Sequence, residues 1–292
     1  MSQPEIQLSK HHEGKLSISW RELNKAPLTA KIGLLIIFGY VFVAIFAPLL
    51  APFGESEIVG KQFAAWSDIN LLGTDNLGRD MLTRLIYGAR NTVGIAFITT
   101  LLAFTLGGIC GVLAAVLGGW LDQLMSRIVD VLMAIPALIF SMLLLTIFGT
   151  SVLSLILIIG VLDSTRVFRI SRAVSLNVVV LDFIESARLR GEGVLWVTIK
   201  EVLPNIMPPM VAEFGIRFCY VFLTISSLSF LGLGIQPPTA DWGSMVRDTS
   251  TLITYGDMTP LLPAAAIAML TIAVNFVVDW FLLKSSGLKD DL

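Results

Sequence analysis

The chain has 292 residues, of which 55% are hydrophobic and only 14% charged, with a mean hydropathy of +0.82. A soluble domain carries about 25% charged residues, so too few polar groups exist to cover a water-facing surface, and lipid is the expected surrounding. A formal net charge of −2, with no basic stripe among aromatics, excludes nucleic acid as a partner, and two cysteines inside apolar runs, Cys110 and Cys219, imply no disulfide framework.

In chain order, residues 1–31 read as a polar tail, and the first apolar run, Ile32 to Leu50, is 19 residues long. It starts too late and runs too long for the core of a cleavable signal, so a retained helix is expected. About 20 apolar residues cross a bilayer core as a helix, and by that measure further spans are expected at Thr92–Leu117, Ile206–Leu231 and Leu261–Leu283. Gly107, Gly108 and Gly111 in the second span predict the close approach of another helix. The stretch Ile128–Leu162 is too long for one span and is broken by Gly149-Thr150-Ser151, which gives two spans joined by a tight turn. The expected fold is an all-α integral membrane domain of six transmembrane helices over residues 32–292.

Lys and Arg placement orients such a bundle. With the N-terminus inside, fourteen of the 20 Lys and Arg fall in inner segments and five in outer ones, Arg217 lying within a span. Both termini are therefore expected in the cytoplasm, with outer loops at 51–91 and 232–260 and a long inner loop at 163–205. No Gly-x-x-x-x-Gly-Lys-Ser/Thr loop occurs to cradle ATP phosphates. The two histidines, His11 and His12, are adjacent in the tail, and there is no Cys/His cluster or Ser–His pair. Neither an enzyme nor a metal site is expected, so energy for transport has to come from a partner.

Inside the inner loop, Asp182 and Glu185 have capping-box spacing, and Gly191 suits a helix stop. A two-turn amphipathic helix at the cytoplasmic surface is expected. Leu203-Pro204-Asn205 then ends the loop and starts the next span, proline being tolerated in a first helical turn. Such a helix either docks into a groove on a partner or is an ordinary interfacial helix. Within the membrane, Glu213 and Arg217 stand four apart in the favourable order for a helical pair. An unpaired Arg at a helix centre costs about 2.5–3.5 kcal/mol on insertion scales, so the two either line the translocation path or its gate, or form a buried structural pair. Asp163 and Asp279 fall near span ends and are expected to be solvated. Met133, Met142, Met207 and Met210 give either a soft pore lining or ordinary packing.

Glu185-Ser186-Ala187, Gly191 and Leu203-Pro204 resemble the Glu-Ala-Ala…Gly…Leu-Pro loop of ABC importer permeases, with Ser186 in place of an alanine. The resemblance implies that Asp182, Glu185, Ser186, Ala187, Arg188, Gly191, Leu203 and Pro204 belong to the coupling helix and flank that engage an ATPase subunit. Two further segments resemble the dipeptide, oligopeptide and nickel permeases, and in particular the second permease of the pair. One is Leu72-Gly73-Thr74-Asp75-Asn76-Leu77-Gly78-Arg79-Asp80 with Arg84 and Tyr87-Gly88-Ala89-Arg90. The other is Leu231-Gly232-Leu233-Gly234-Ile235-Gln236-Pro237-Pro238 with Asp241-Trp242-Gly243. Gly73, Thr74, Asp75, Gly78, Arg79 and Asp80, with Gln236, Pro237, Pro238, Trp242 and Gly243, then either shape the outer mouth for a binding protein or close that face by packing together. Asn275 and Asp279 match an Asn-x-x-Gly-Asp pattern of the family with Val278 in place of the glycine, and Phe281-Leu282-Leu283 replaces the Leu-Arg-Asp that usually follows. Asn275 joins Glu213, Arg217 and Met210 as a candidate for the translocation path.

The resemblance implies a type I ABC importer transmembrane domain in the inner membrane, with no ATP site and no cofactor of its own. ATP and Mg would be bound by two partner ATPase subunits. A homologous second permease, an extracytoplasmic solute-binding protein and membrane lipid are the other implied partners. The implied activity is alternating access, moving di- or oligopeptides, with nickel, glutathione-like or opine solutes as alternatives. A stand-alone secondary transporter would instead show an inverted repeat, broken helices and midplane charges, whereas this chain has no visible repeat and one intramembrane pair.

Overall fold

α1 (Leu28–Leu50) is apolar along its length and buries only Ala30, Gly33 and Ala47, as a lipid-facing helix does. It meets the last helix, α9 (Leu261–Ser285), where Gly33 leaves no room for a side chain: a Cβ there would lie 2.6 Å from the Ala273 carbonyl oxygen. These elements belong to a computed structural model that describes residues 26–285. The tail with His11 and His12, and residues 286–292, lie outside the described residues.

α2 (Met81–Leu117) is one helix with a π-turn at Ala89–Val93. It starts well before the expected Thr92, so residues 81–91 of the expected outer loop are helical. Asp80 sets the start, its carboxylate accepting the Thr83 N–H at 2.8 Å. A hydropathy window misses these turns because they carry Arg84, Arg90 and Asn91.

α3 (Gly119–Met133) and α4 (Ala137–Phe148) meet at an 85° bend. The first half of the 128–162 stretch is therefore not a straight span from Ile128. It begins at Gly119 and breaks before Pro136, which has no N–H to continue the helix. The break at 149–151 falls where the sequence puts it: Gly149 takes φ +85°, and Ser151 caps the next helix by accepting the Ser154 N–H.

That helix, α5 (Val152–Val179), has 28 residues, about 42 Å of rise. It does not end at Leu162, so 163–179 of the expected inner loop is helical. An apolar count stops at Asp163, Arg166, Arg169 and Arg172, yet α3 supplies partners: Arg172 forms a bidentate pair with Asp122, and Arg169 lies 3.3 Å from Asp130. Among the described residues four helices are long and apolar enough to cross a membrane, or five if the bent pair counts as one span. The expected six are reached only by adding α5, whose charges fail that test.

α6 (Asp182–Leu189) follows after two residues, and α7 (Val194–Phe230) after four more. Leu203-Pro204 does not open α7, which is already helical from Val194 and passes through a π-turn at Val197–Val202. The ring of Pro204 would clash with the Lys200 carbonyl in a regular α-turn, and the wider π-turn lies just there. α8 (Trp242–Thr249) and a short 3₁₀ turn (Ser250–Tyr255) occupy the second outer loop.

α2 and α5 pack most closely. A Cβ on Gly107 would lie 2.2 Å from the Ser164 carbonyl, and one on Gly111 2.0 Å from Ser171 Oγ, which itself donates to the Gly107 carbonyl at 3.1 Å. Gly108 takes no part in this approach; among the described residues nothing lies within 4 Å of its Cβ position.

Candidate functional site

α2 marks the two ends of the bundle. Its first turns carry the two outer loops, and its last turn carries α6, because the Arg188 guanidinium donates to the Val116 carbonyl at 3.3 Å. α6 sits on the bundle through Ile184 and Ala187, both fully buried among Val178, Val197, Val202 and Ile206. Asp182, Glu185, Ser186, Arg188 and Gly191 are exposed, as are the apolar Val180, Leu189 and Leu195 around them. Ala187 therefore faces inward as a seat rather than outward to a partner. Leu203 and Pro204 are exposed nine and ten residues beyond Val194, the first residue of α7.

The ends of α6 differ from expectation in one respect. Leu181, not Asp182, is the N-cap residue, and no side chain caps the helix. Asp182 and Glu185 lie within its first turn, where carboxylates favour the positive end of the helix dipole. The stop is as expected. Gly191 has φ +85°, the Gly191 N–H reaches the Arg188 carbonyl (2.9 Å), and the Glu192 N–H reaches Ala187 (3.2 Å), a complete Schellman motif.

In the bundle interior, Arg217 Nε donates to Glu213 Oε1 at 2.5 Å, so the expected pair forms. A third group joins it. Asp163 is buried rather than solvated, and its Oδ1 lies 4.0 Å from Arg217 Nη1 and 3.7 Å from Arg166 Nη1. The contact joins positions 54 residues apart, which sequence spacing does not reveal. Met210 is buried and, with Met207, Phe104, Gly108 and Phe214, lines an apolar cleft of about 350 Å³ between α2 and α7. Met133 and Met142 pack against the core. Asn275 is exposed on α9, its Nδ2 donating to the Thr271 carbonyl at 2.9 Å and lying 4.0 Å from Cys219 Sγ of α7, and Asp279 is exposed.

At the opposite end the two outer loops lock together. Asp75 accepts the Leu77 and Arg79 N–H groups through Oδ1 and the Arg79 side chain through Oδ2 (2.7 Å), with Arg84 Nε 3.2 Å from the same oxygen. All three side chains are buried, and Arg84 Nη1 reaches the Pro238 carbonyl of the second loop at 3.3 Å. Thr74 donates to the Lys61 carbonyl, and Gly73 (φ +73°) and Gly78 (φ +79°) turn where a Cβ would strike carbonyl oxygens. From the other side, Trp242 Nε1 donates to the Leu85 carbonyl at 2.9 Å. Gly243 is pressed onto the Ser226 carbonyl. Asp241, fully buried, caps α8 and accepts the Thr92 hydroxyl. Burial pushes its carboxyl above the usual range, with the Ser244, Ser229 and Thr92 hydrogen bonds pulling the other way. Glu55 adds a link that the sequence motifs did not contain, accepting from Asn91 Nδ2 and the Ala240 N–H. Of the eleven residues expected to shape the outer mouth only Gln236, Pro237 and Pro238 are exposed; the other eight form the interior of a cap.

Among the described residues, an apolar helical bundle is capped at one end by two interlocked loops and presents the short helix α6 at the other, the build of a membrane-embedded protein. The sequence profile of the binding-protein-dependent transport system inner membrane component matches residues 105–283, and the chain belongs to that family, as a multi-pass inner membrane permease of the ABC importer class. Its relatives include a dipeptide transport system permease protein of Haemophilus influenzae, 30% identical over 90% of this chain and 89% of that protein. A di/tripeptide transport system permease protein of Pseudomonas aeruginosa is 32% identical over 89% of this chain and 86% of its own length. A peptide transport system permease protein of Escherichia coli is 32% identical over 92% and 93%.

Proposed function

We propose that the chain is the second permease of an ATP-driven importer of di- and oligopeptides. Peptide cargo is supported by the names of its relatives, which describe dipeptide, di/tripeptide and peptide systems. Both termini and α6 face the cytoplasm, in keeping with the Lys and Arg distribution, and the two-loop cap faces the binding protein. α6 is the coupling helix: its exposed Glu185, Ser186 and Arg188, with the apolar Leu189 and Leu195, enter a groove on an ATPase subunit. Two such subunits hold the ATP and Mg, and this chain binds neither. A homologous second permease completes the pore, which alternates between inward-open and outward-open forms, and the binding protein drives the exchange by preferring the outward-open one.

The observation that carries this reading is α6 itself: a rigid, Schellman-capped helix seated by two buried residues and otherwise presented outward. A rigid body of this kind transmits a push instead of absorbing it. Gly191→Pro tests it, because proline fixes φ near −65° where Gly191 needs +85°. The expected result is loss of ATP-dependent peptide uptake with normal membrane insertion; unchanged uptake contradicts the coupling role.

A further inference from the structure

Asp163 is only 8% exposed in the middle of α5, and among the described residues its Oδ2 has no hydrogen-bond partner. Its Oδ1 makes only long ion-pair contacts among the described residues, with Arg166 at 3.7 Å and Arg217 at 4.0 Å. Arg217 instead gives its Nε to Glu213, one turn back on its own helix, and its guanidinium stacks over the Tyr220 ring at 5.0 Å. A buried carboxylate is costly unless its pairing geometry is good and its remaining lone pairs are satisfied. Here the ion-pair distances are long and one carboxylate oxygen is unpaired among the described residues.

Those two helices are the ones that enter and leave α6, through connections of two and four residues. α6 also rests on both, since Ile184 and Ala187 pack with Val178 of α5 and with Val197 and Val202 of α7. Asp163 lies sixteen residues up α5 from Val179, about 24 Å along a stiff helix. A displacement of α6 therefore arrives at the Asp163–Arg217 contact as relative motion of its two walls.

We propose that Asp163 is a positioning residue, the receiving half of a two-position latch. In the present conformation Arg217 rests on Glu213. When the ATPase subunits drive α6, Arg217 swings to Asp163, and the cross-helix ion pair holds α5 and α7 in the second state. The two carboxylates compete for one guanidinium, so each favours a different conformation, which is the differential interaction that a switch between states requires. The inference rests on α6 being the coupling helix.

The test uses the complete transporter in liposomes, with ATP hydrolysis measured with and without binding protein. Asp163→Asn removes the receiving charge and is expected to lower binding-protein-stimulated hydrolysis about five- to tenfold, within the range of coupling between sites. Asp163→Glu, which keeps the carboxylate, restores it. Glu213→Gln frees Arg217 from its resting place and is expected to raise hydrolysis without binding protein. A purely structural cluster would impair both states alike, so effects of the same sign at Asp163 and Glu213, or none, overturn the latch. Should Asp163→Asn fail to assemble, genetically encoded spin-labelled residues at the exposed Leu157 and Leu223, which need no change at Cys110 or Cys219, carry the test. Their separation is expected to change by about 1–2 Å, the scale of helix shifts, on trapping with ATP and vanadate, and no change overturns the proposal. Gly191→Pro distinguishes the two readings. If it leaves stimulated hydrolysis intact, the coupling role fails and the latch loses its drive; if it abolishes stimulation while Asp163 and Glu213 variants do nothing, the latch alone fails.

Discussion

Asp75 holds two buried guanidinium groups, Arg79 and Arg84, the latter only 2% exposed. Replacing it with alanine leaves two like charges facing each other without water. Removing one partner of a buried pair costs about 3–5 kcal/mol, so Asp75→Ala is expected to destabilise the detergent-solubilised protein by that order in thermal or denaturant unfolding. Asp68→Ala, at an exposed position of the same loop, is expected to stay within about 0.5 kcal/mol. Equal effects at the two positions would contradict the account of the cap. The Glu213/Arg217 spacing was legible in the chain because the partners lie one helical turn apart, whereas Asp75 and Arg79 were read only as motif residues of one loop. Arg84 to Pro238, Asp163 to Arg217 and Arg172 to Asp122 were not legible. Each of these joins groups 50 or more positions apart, and only the packed bundle brings them together.

Helix contacts between α2 and α5 rest on two glycines, with a third as an internal control. An added methyl at Gly107 or Gly111 meets backbone or a buried hydroxyl at 2.0–2.5 Å, and overpacking of this kind costs about 1–3 kcal/mol. Gly107→Ala and Gly111→Ala are therefore expected to lower the melting temperature of the purified protein. Gly108→Ala points into open space and is expected to be neutral or to stabilise by about 0.4–1 kcal/mol through the unfolded chain. Destabilisation at Gly108 as large as at Gly107 would contradict the packing described. The glycine pattern announced a close approach, but composition alone does not say which face of the helix makes it. Element ends follow the same logic. Ends marked by a local signal, such as Gly149, Gly191 and Phe230-Leu231, were legible. Ends hidden by charge were not: α2 begins at Met81 and α5 runs to Val179 because Arg84, Arg166 and Arg172 find partners inside the protein. Pro204 read as a helix start because the π-turn that accommodates it has no composition of its own.

Across the whole molecule, the two ends are built differently. One is a cap whose signature residues are mostly turned inward, so its loops hold a fixed shape. The other presents a short helix mounted on the two helices that carry buried charge. The membrane class, the apolar helices and the family were legible because composition and short motifs carry them. Which signature residues face a partner was not, since Ala187 and Asp75 lie in motifs yet point into the protein. The central claim is that α6 joins this chain to its ATPase subunits, and purification from native membranes in mild detergent tests it most directly, with wild type and Gly191→Pro compared. The account predicts that wild type brings with it a second permease and Walker-motif ATPases, and that Gly191→Pro keeps the second permease but loses the ATPases. Recovery of the ATPases in equal amount with both forms, or of wild type alone and active without ATP, would contradict it.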